Sequence, residues 1–358
     1  MKRAVIVSTA RTGLAKSWKG ALNMTHGASL GGHAVQHAVQ RSGVDPARIE
    51  DVLMGCSLPE GTTGGNIARV IALRAGLPIT AGGVTINRFC SSGLQTIALA
   101  AQRIMTGECE VLVAGGVESI SLVQNDANMR LAIDPVMKAE KPAIYWSMLE
   151  TAECVARRYA IPRDAMDEYG ARSQQRAAAA EAAGLFKAEI APMAVTMGIV
   201  DPDTRRIGMR DVVLDRDEGI RPGTTVEAIS GLRSALQGGL VTAGNASQFS
   251  DGASACVVMD EKAAEQAGLA PLGIFRGFAV AGCEPDENPI EHMQLNLGDV
   301  VRPFALACFC SALNTMAGSL KGESPTSARG PDGRAGSAGP RAATPRADRR
   351  PAARPSKP

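Results

Sequence analysis

The sequence predicts an α/β protein built on a mostly parallel sheet, with a helical insertion and a strand that could open a second domain. Three observations lead to this fold class. Short β-branched runs alternate with helical apolar periodicity over the first 118 residues. One long helical pattern dominates residues 119–250. After about residue 287 no clean period is present. Strands that alternate with helices favour a sheet covered on both faces.

The first 118 residues carry four strand patterns and three helical patterns. The predicted strands are short apolar runs rich in Val and Ile, and the predicted helices repeat apolar residues on one face and end at Gly. Gly115-Gly116 is expected to close the fourth strand. The predicted strands span residues 2–9, 51–56, 84–86 and 111–114, and the predicted helices span residues 27–42, 66–75 and 94–106.

The middle and the end of the chain predict a discontinuous first domain. Pro162 and Gly184 bound one strong helix, and the rest of residues 119–250 is predicted as helical insertion with irregular loops. Residues 254–259 form a buried strand pattern that we expect to return to the first sheet, so the core domain would comprise residues 1–118 and 251–271. Residues 272–280 predict a strand that could open a second domain.

Residues 317–358 predict a disordered tail. They are almost only Ala, Arg, Pro, Gly, Ser and Thr, with seven prolines and no aromatic residue. From residue 321 onward, nine Lys or Arg stand against three Asp or Glu, a net of +6 that leaves −4 for residues 1–320 of a chain with net charge +2. The mildly acidic remainder does not favour nucleic acid as a partner.

Location and redox state are predicted from simple features. The apolar run at the N-terminus stops after four residues, too short for a signal peptide, and no apolar stretch is long enough to span a bilayer. The eight cysteines lack paired spacing, which favours a reducing compartment. We therefore expect a cytoplasmic protein without a membrane partner.

The strongest chemical signal surrounds Cys90. Residues 87–95, Asn-Arg-Phe-Cys-Ser-Ser-Gly-Leu-Gln, follow a predicted buried strand and open a predicted helix. The turn would leave Cys90 at or near the helix N-terminus, where the macrodipole and unbonded N–H groups favour the nucleophilic thiolate. The alternative interpretation is a small buried hydrophobic residue, as cysteines often are.

Five segments together resemble the thiolase family, in the family's order, from residue 5 to about residue 287. Residues 87–95 are similar to the nucleophile segment of the family, and the others match its opening segment, its Gly-Gly-x-Glu-Ser stretch, its coenzyme A loop and a later short motif. These are residues 9–12 (Thr-Ala-Arg-Thr), 114–119 (Ala-Gly-Gly-Val-Glu-Ser), 242–247 (Thr-Ala-Gly-Asn-Ala-Ser) with 251–253 (Asp-Gly-Ala), and 283–286 (Cys-Glu-Pro-Asp).

The resemblance implies a thiolase-like fold with a helical loop domain and an incomplete second core domain, of which residues 272–316 would be a remnant. It also implies a ping-pong acyl transfer between 3-ketoacyl-CoA and coenzyme A, with Cys90 as nucleophile. It places Arg221 near the nucleotide end of coenzyme A, Ser247 at the pantetheine arm and, more weakly, Met148 in the acyl pocket. An exposed loop Arg, a turn-forming Ser and a core Met are the alternatives. Acyl-CoA and coenzyme A would be substrates, with no cofactor beyond them, and an intact protein would be a homo-oligomer.

The sequence also departs from the family pattern. Ser147 stands where many members have His, and the Asn-Glu-Ala-Phe, Gly-His-Pro and Cys-x-Gly-Gly-Gly motifs do not occur. His292, Cys308 and Cys310 lack the flanking glycines and receive no role. A truncated or frame-shifted, catalytically inactive thiolase-like protein is therefore the rival hypothesis.

A metal site is not expected. His33 and His37 lie one helical turn apart, as zinc ligands often do, but the sequence offers no obvious third ligand beside them.

Overall fold

The computed structural model of the chain describes residues 2–287. The nine strands found there are β1 (Ala4–Arg11), β2 (Ala15–Lys16), β3 (Asp51–Gly55), β4 (Val84–Ile86), β5 (Val111–Glu118), β6 (Met193–Val200), β7 (Ile207–Leu214), β8 (Ser250–Asp260) and β9 (Gly273–Ile274). The α-helices of the same residues are α1 (Gly27–Ser42), α2 (Ile67–Arg74), α3 (Ser92–Thr106), α4 (Ile120–Val123), α5 (Pro135–Glu140), α6 (Met148–Arg158), α7 (Arg163–Ala182), α8 (Val226–Ser230) and α9 (Glu261–Gln266).

Some predictions fall outside the described part of the chain. The disordered tail 317–358 and the part of the second-domain remnant after residue 287 both lie there, as do His292, Cys308 and Cys310. Within residues 2–287, no helix is long and apolar enough to cross a membrane.

The central sheet has seven strands, and six of them follow the order β4-β3-β5-β8-β1-β9, with β2 paired to β8. β3 pairs in parallel with β4 and with β5, whereas β8 pairs antiparallel with β5 and β1. β1, β3, β4 and β5 therefore run in one direction and β8 and β9 in the other. The predicted α/β class is confirmed, and so is the return of the strand near residue 254 to the first sheet.

Helices cover both faces of the sheet. β8 is buried along its whole length, and its successive side chains point to opposite faces. Val257 and Met259 pack into the core cluster that contains residues of α1 and α2. Val258 packs into a second cluster that contains residues of α3. The sheet is thus the middle layer between α1 and α2 on one side and α3 on the other.

The insertion between β5 and β8 differs from its prediction. Helix α7 lies where Pro162 and Gly184 predicted it. The stretch that follows was predicted as irregular, which is wrong, because β6 and β7 pair as an antiparallel hairpin in full register. A turn signal was present in the connection, where Asp201 Oδ1 accepts hydrogen bonds from the backbone N–H groups of Asp203 (3.0 Å) and Thr204 (2.7 Å).

Three strand predictions need correction. β5 continues through Gly115-Gly116 to Glu118, because β8 pairs with it over that whole length. β4 was predicted to be buried, but its residues are exposed or half-buried because it is the edge strand. The strand predicted over 272–280 pairs only at Gly273 and Ile274, since its antiparallel partner β1 begins at Ala4, opposite Phe275.

Buried ion pairs join β1 to the insertion. Arg11 is almost fully buried, and its guanidinium donates two hydrogen bonds to the Asp217 carboxylate at 2.7 and 2.9 Å. Its Nε donates to Glu189 Oε1 at 3.0 Å. These bonds fix the segments around residues 189 and 217 beside the end of β1, close to the cavity that contains Cys90.

Candidate active site

Cys90 lies in the short turn that joins β4 to α3. It directly precedes Ser91, the N-cap residue of the 15-residue helix α3, and its side chain is exposed. The prediction that this residue lies at a helix N-terminus is confirmed, and the alternative of a buried hydrophobic cysteine is wrong. The position exposes Cys90 to the positive end of the helix dipole.

The backbone of this turn is held in an uncommon conformation. Phe89 has a φ of 44°, in the left-handed region that residues other than Gly, Asn and Asp seldom adopt. Its N–H donates to Asn87 Oδ1 at 2.8 Å, and its carbonyl accepts from Ser92 N–H at 3.0 Å. Strain of this kind persists only where surrounding bonds enforce it, and it concentrates at functional sites.

Cys90 lines a small open cavity of about 60 Å3 at the ends of β1, β3 and β5. Glycines make room for it. A Cβ on Gly55 would lie 2.5 Å from the Gly93 backbone N, so only glycine lets α3 begin this close to β3. Gly93 and Gly116 also line the cavity. This volume is far smaller than that of the pockets of about 300–1,000 Å3 that hold whole cofactor-sized ligands.

Glu118 is a buried carboxylate at the rim of the same cavity. It accepts hydrogen bonds from the backbone N–H groups of Ser57 (2.9 Å) and Leu58 (3.2 Å) and from the Ser57 hydroxyl. No role was predicted for Glu118 from the sequence, although a charged residue at the end of an apolar strand was a signal for one.

Cys56 also lines the cavity but has the opposite character to Cys90. Burial, together with the nearby Glu118 charge, raises the pKa of the Cys56 thiol to about 12. Its Sγ lies 3.7 Å from Glu118 Oε1. Cys56 therefore remains a protonated thiol near neutral pH, and Cys90 is the exposed thiol of the pair.

The other predicted site residues do not line this cavity. Arg221 is exposed in a loop whose backbone is held on α7: its N–H donates to Gln174 Oε1 at 2.9 Å. Ser247 is exposed just before β8, and Met148 is exposed as the first residue of α6. The alternative of a core methionine at position 148 is therefore wrong.

The loop that leads to Ser247 is held by buried side chains that were not among the predicted site residues. Glu153 of α6 accepts hydrogen bonds from the N–H groups of Leu240 and Val241, both at 2.7 Å. Asn245 accepts from Thr242 N–H at 2.8 Å and donates to the buried Asp167 of α7 at 2.8 Å. The loop is thus held by α6 and α7.

Ser147 lies at the N-terminus of α6, and His33 and His37 lie next to each other on α1. Ser147 caps α6 and shares a capping box with Glu150. The His33 and His37 rings lie 4.4 Å apart on α1, and burial lowers the pKa of both. Within residues 2–287, no group of three or more His, Cys, Asp or Glu side chains is arranged to hold a metal ion.

Known proteins resemble this chain over most of its length. Residues 4–262 match the family model described as thiolase, N-terminal domain. The chain is 45% identical over 291 residues to a 3-ketoacyl-CoA thiolase of Bacillus subtilis, covering 80% of this chain and 73% of that protein. It is 38% identical over 300 residues to an acetyl-CoA acetyltransferase of Cupriavidus necator, with the same coverage. The crystal structure of the Bacillus anthracis acetyl-CoA acetyltransferase superposes with a TM-score of 0.68 at 37% identity, over 80% of this chain and 73% of that chain.

Proposed function

The chain belongs to the thiolase family of acyltransferases, and from that premise we propose that it transfers an acyl group between 3-ketoacyl-CoA and coenzyme A through a thioester on Cys90. The position of Cys90 carries the proposal. It is exposed at the N-terminus of α3 and lines a cavity, where a thiolate is favoured and a carbonyl group has access.

In the first half-reaction, the Cys90 thiolate attacks the keto carbon of the substrate. The bond between the α and keto carbons breaks, its electron pair stays on the α carbon, and that carbon takes up a proton to leave as acetyl-CoA. In the second half-reaction, coenzyme A loses its thiol proton and takes the acyl group from Cys90. The reverse sequence is a Claisen condensation.

Three exposed residues are proposed to bind the substrate. Arg221 would contact the nucleotide end of coenzyme A, Ser247 its pantetheine arm, and Met148 the acyl chain. Their exposure is compatible with ligand contact, and the loops that carry Arg221 and Ser247 are already held on α7 and α6. Pre-ordered loops reduce the entropy lost on binding.

Trapping the acyl-enzyme tests the Cys90 thioester directly. After a brief incubation with acetoacetyl-CoA and acid quenching, peptide mass spectrometry should find one acetyl group on the peptide that contains Cys90. Cys154→Ala, a change at a half-buried cysteine of α6, should leave this acetylation intact, whereas Cys90→Ala should abolish it. Acetylation that persists in Cys90→Ala would overturn the proposal.

One observation favours a second candidate, a thiolase-like chain without turnover. No histidine is among the described residues that line the cavity: His33 and His37 lie on α1, His26 precedes that helix, and His292 lies outside the described part. General-base help for coenzyme A would have to come from elsewhere. Acetylation of Cys90 without turnover is the result expected of this candidate.

We also propose a domain division and a cellular setting for the chain. Residues 1–118 with 251–271 would form the core domain and 119–250 the loop domain, which the position of β8 between β5 and β1 supports. A cytoplasmic homo-oligomer acting in fatty acid β-oxidation is the setting that the family resemblance suggests.

A further inference from the structure

Asn87 connects the turn before Cys90 to the end of β3 through two side-chain hydrogen bonds. Its Nδ2 donates to the Ser57 carbonyl oxygen at 3.0 Å, and its Oδ1 accepts from the Phe89 N–H at 2.8 Å. Ser57 is itself held by the buried carboxylate of Glu118. A continuous path of hydrogen bonds therefore runs from the end of β5, across the end of β3, to the residue before Cys90.

Phe89 needs such support. Its φ of 44° is unfavourable for a phenylalanine, and its side chain is 66% exposed, so the packing of its ring does little to fix the backbone. Two of the bonds at this residue come from Ser92, which donates to the Phe89 carbonyl from inside α3. The bond to Asn87 holds the N–H group of Phe89. Because Asn87 also bonds to Ser57, it links the turn to the end of β3.

We propose that Asn87 is a positioning residue for the nucleophile: its side-chain amide, braced through Ser57 by Glu118, keeps Phe89 in the left-handed conformation and thereby holds Cys90 at the N-terminus of α3, facing the cavity. The inference rests on the proposed function, since it assumes that Cys90 is the reactive thiol. Without Asn87, Phe89 relaxes toward negative φ, and Cys90 moves away from the N–H groups of the first helical turn that favour its thiolate.

The test follows the pH dependence of Cys90 alkylation by iodoacetamide in the full-length chain, with peptide mapping. In Asn87→Ala, the rate at pH 7 should fall about tenfold, and the rate profile should move to higher pH, because a less stabilised thiolate forms only at higher pH.

Asn66→Ala is the matched control. Asn66 makes two similar bonds, to the Gly83 carbonyl (2.8 Å) and from the Thr85 hydroxyl (2.9 Å), beside the same strand β4 but away from the turn. Its profile should stay within twofold of the wild type.

Two further variants separate positioning from a loss of folding. Asn87→Ser offers a hydroxyl that can accept the Phe89 N–H, so it should recover part of the rate. Phe89→Gly combined with Asn87→Ala should recover more, because glycine adopts positive φ without cost. General unfolding would instead expose the buried Cys56, Cys109 and Cys256, whose labelling in the same digests reports on the fold.

Each outcome decides the question. An Asn87→Ala profile that coincides with that of Asn66→Ala, or a double variant that is no faster than Asn87→Ala, would overturn the positioning role while leaving Cys90 as the nucleophile. If Cys90 of the wild-type chain labels no faster than the buried cysteines, the proposed function falls and this inference with it. Recovery in both Asn87→Ser and the double variant supports the role.

Discussion

Cys90 and Cys56 line the same cavity and differ in everything that controls thiol reactivity. Cys90 is exposed beside a helix N-terminus, whereas Cys56 is buried at the end of β3 next to the Glu118 carboxylate. The first feature is local, because a nucleophile pattern between a strand and a helix is visible in residues 84–106. The second depends on Glu118, 62 residues further along the chain, and local sequence patterns do not reveal such a pairing.

Alkylation should therefore discriminate strongly between these cysteines. At pH 8, iodoacetamide should label Cys90 well before Cys56, Cys109 or Cys256. Burial raises the pKa of Cys109 as well as that of Cys56. With a pKa of about 12 for Cys56, roughly one thiol in 10⁴ is ionised at pH 8, and this fraction grows tenfold with each unit of pH.

The control for this measurement is the chain in guanidinium chloride, where all cysteines should label at similar rates. Peptide mapping at several times gives the order of labelling. Early alkylation of Cys56 in the folded chain would contradict its buried environment. Alkylation of Cys90 after the buried cysteines would contradict its assignment as the nucleophile.

At the scale of elements, the site depends on how closely α3 approaches the sheet. Gly55 at the end of β3 faces the first residues of α3, and a Cβ there would lie 2.5 Å from backbone atoms of Ser92 and Gly93. Backbone atoms cannot turn aside as a flexible side chain can. Because α3 begins this close to β3, Cys90 lies at the cavity beside the ends of β1, β3 and β5.

Gly55→Ala should thus separate α3 from β3 and destabilise the fold. Overpacking of this kind typically lowers the free energy of unfolding by about 1–3 kcal/mol, measurable by urea denaturation. Cys90 should also no longer be alkylated faster than the buried cysteines. Gly231→Ala is the control, because Gly231 has a φ of −77° and nothing within 4 Å of an added Cβ, so its stability should be unchanged or slightly higher. Equal stability of the two variants would mean that the close approach is not required.

The elements that the sequence predicted well are those whose signals lie within the element. Helix α1 begins and ends where its periodicity and Gly43 place it, and β4 matches its predicted range. The hairpin of β6 and β7 was missed although large apolar residues alternate along β6, because β7 shows no such alternation and most residues of the hairpin are exposed. The strand predicted over 272–280 failed for a tertiary reason, since its antiparallel partner β1 begins at Ala4, opposite residue 275.

At the scale of the whole molecule, acyl transfer requires three tasks to meet at one cavity. In the proposed reaction, Cys90 must lose its proton, an oxyanion must be held, and the thiol of coenzyme A must be deprotonated. The described residues support the first task through the N-terminus of α3. By family resemblance, the other two belong to the Asn-Glu-Ala-Phe, Gly-His-Pro and Cys-x-Gly-Gly-Gly motifs, and this sequence contains none of them.

The second candidate, a thiolase-like chain without turnover, therefore predicts that the full chain shows no appreciable thiolase turnover, even where Cys90 is acetylated. General acid–base help is commonly worth about 10²–10⁴ in rate, and an oxyanion donor about 10²–10³, so their combined loss leaves very little. The assay follows the loss of acetoacetyl-CoA with added coenzyme A, using the purified full-length chain, with Cys90→Ala as the blank. Robust turnover that depends on Cys90 would contradict the prediction and would mean that residues after 287 supply the base. His292→Ala is then the first variant to test, because His292 is the one histidine of the sequence outside the described part, and a loss of that turnover would identify it.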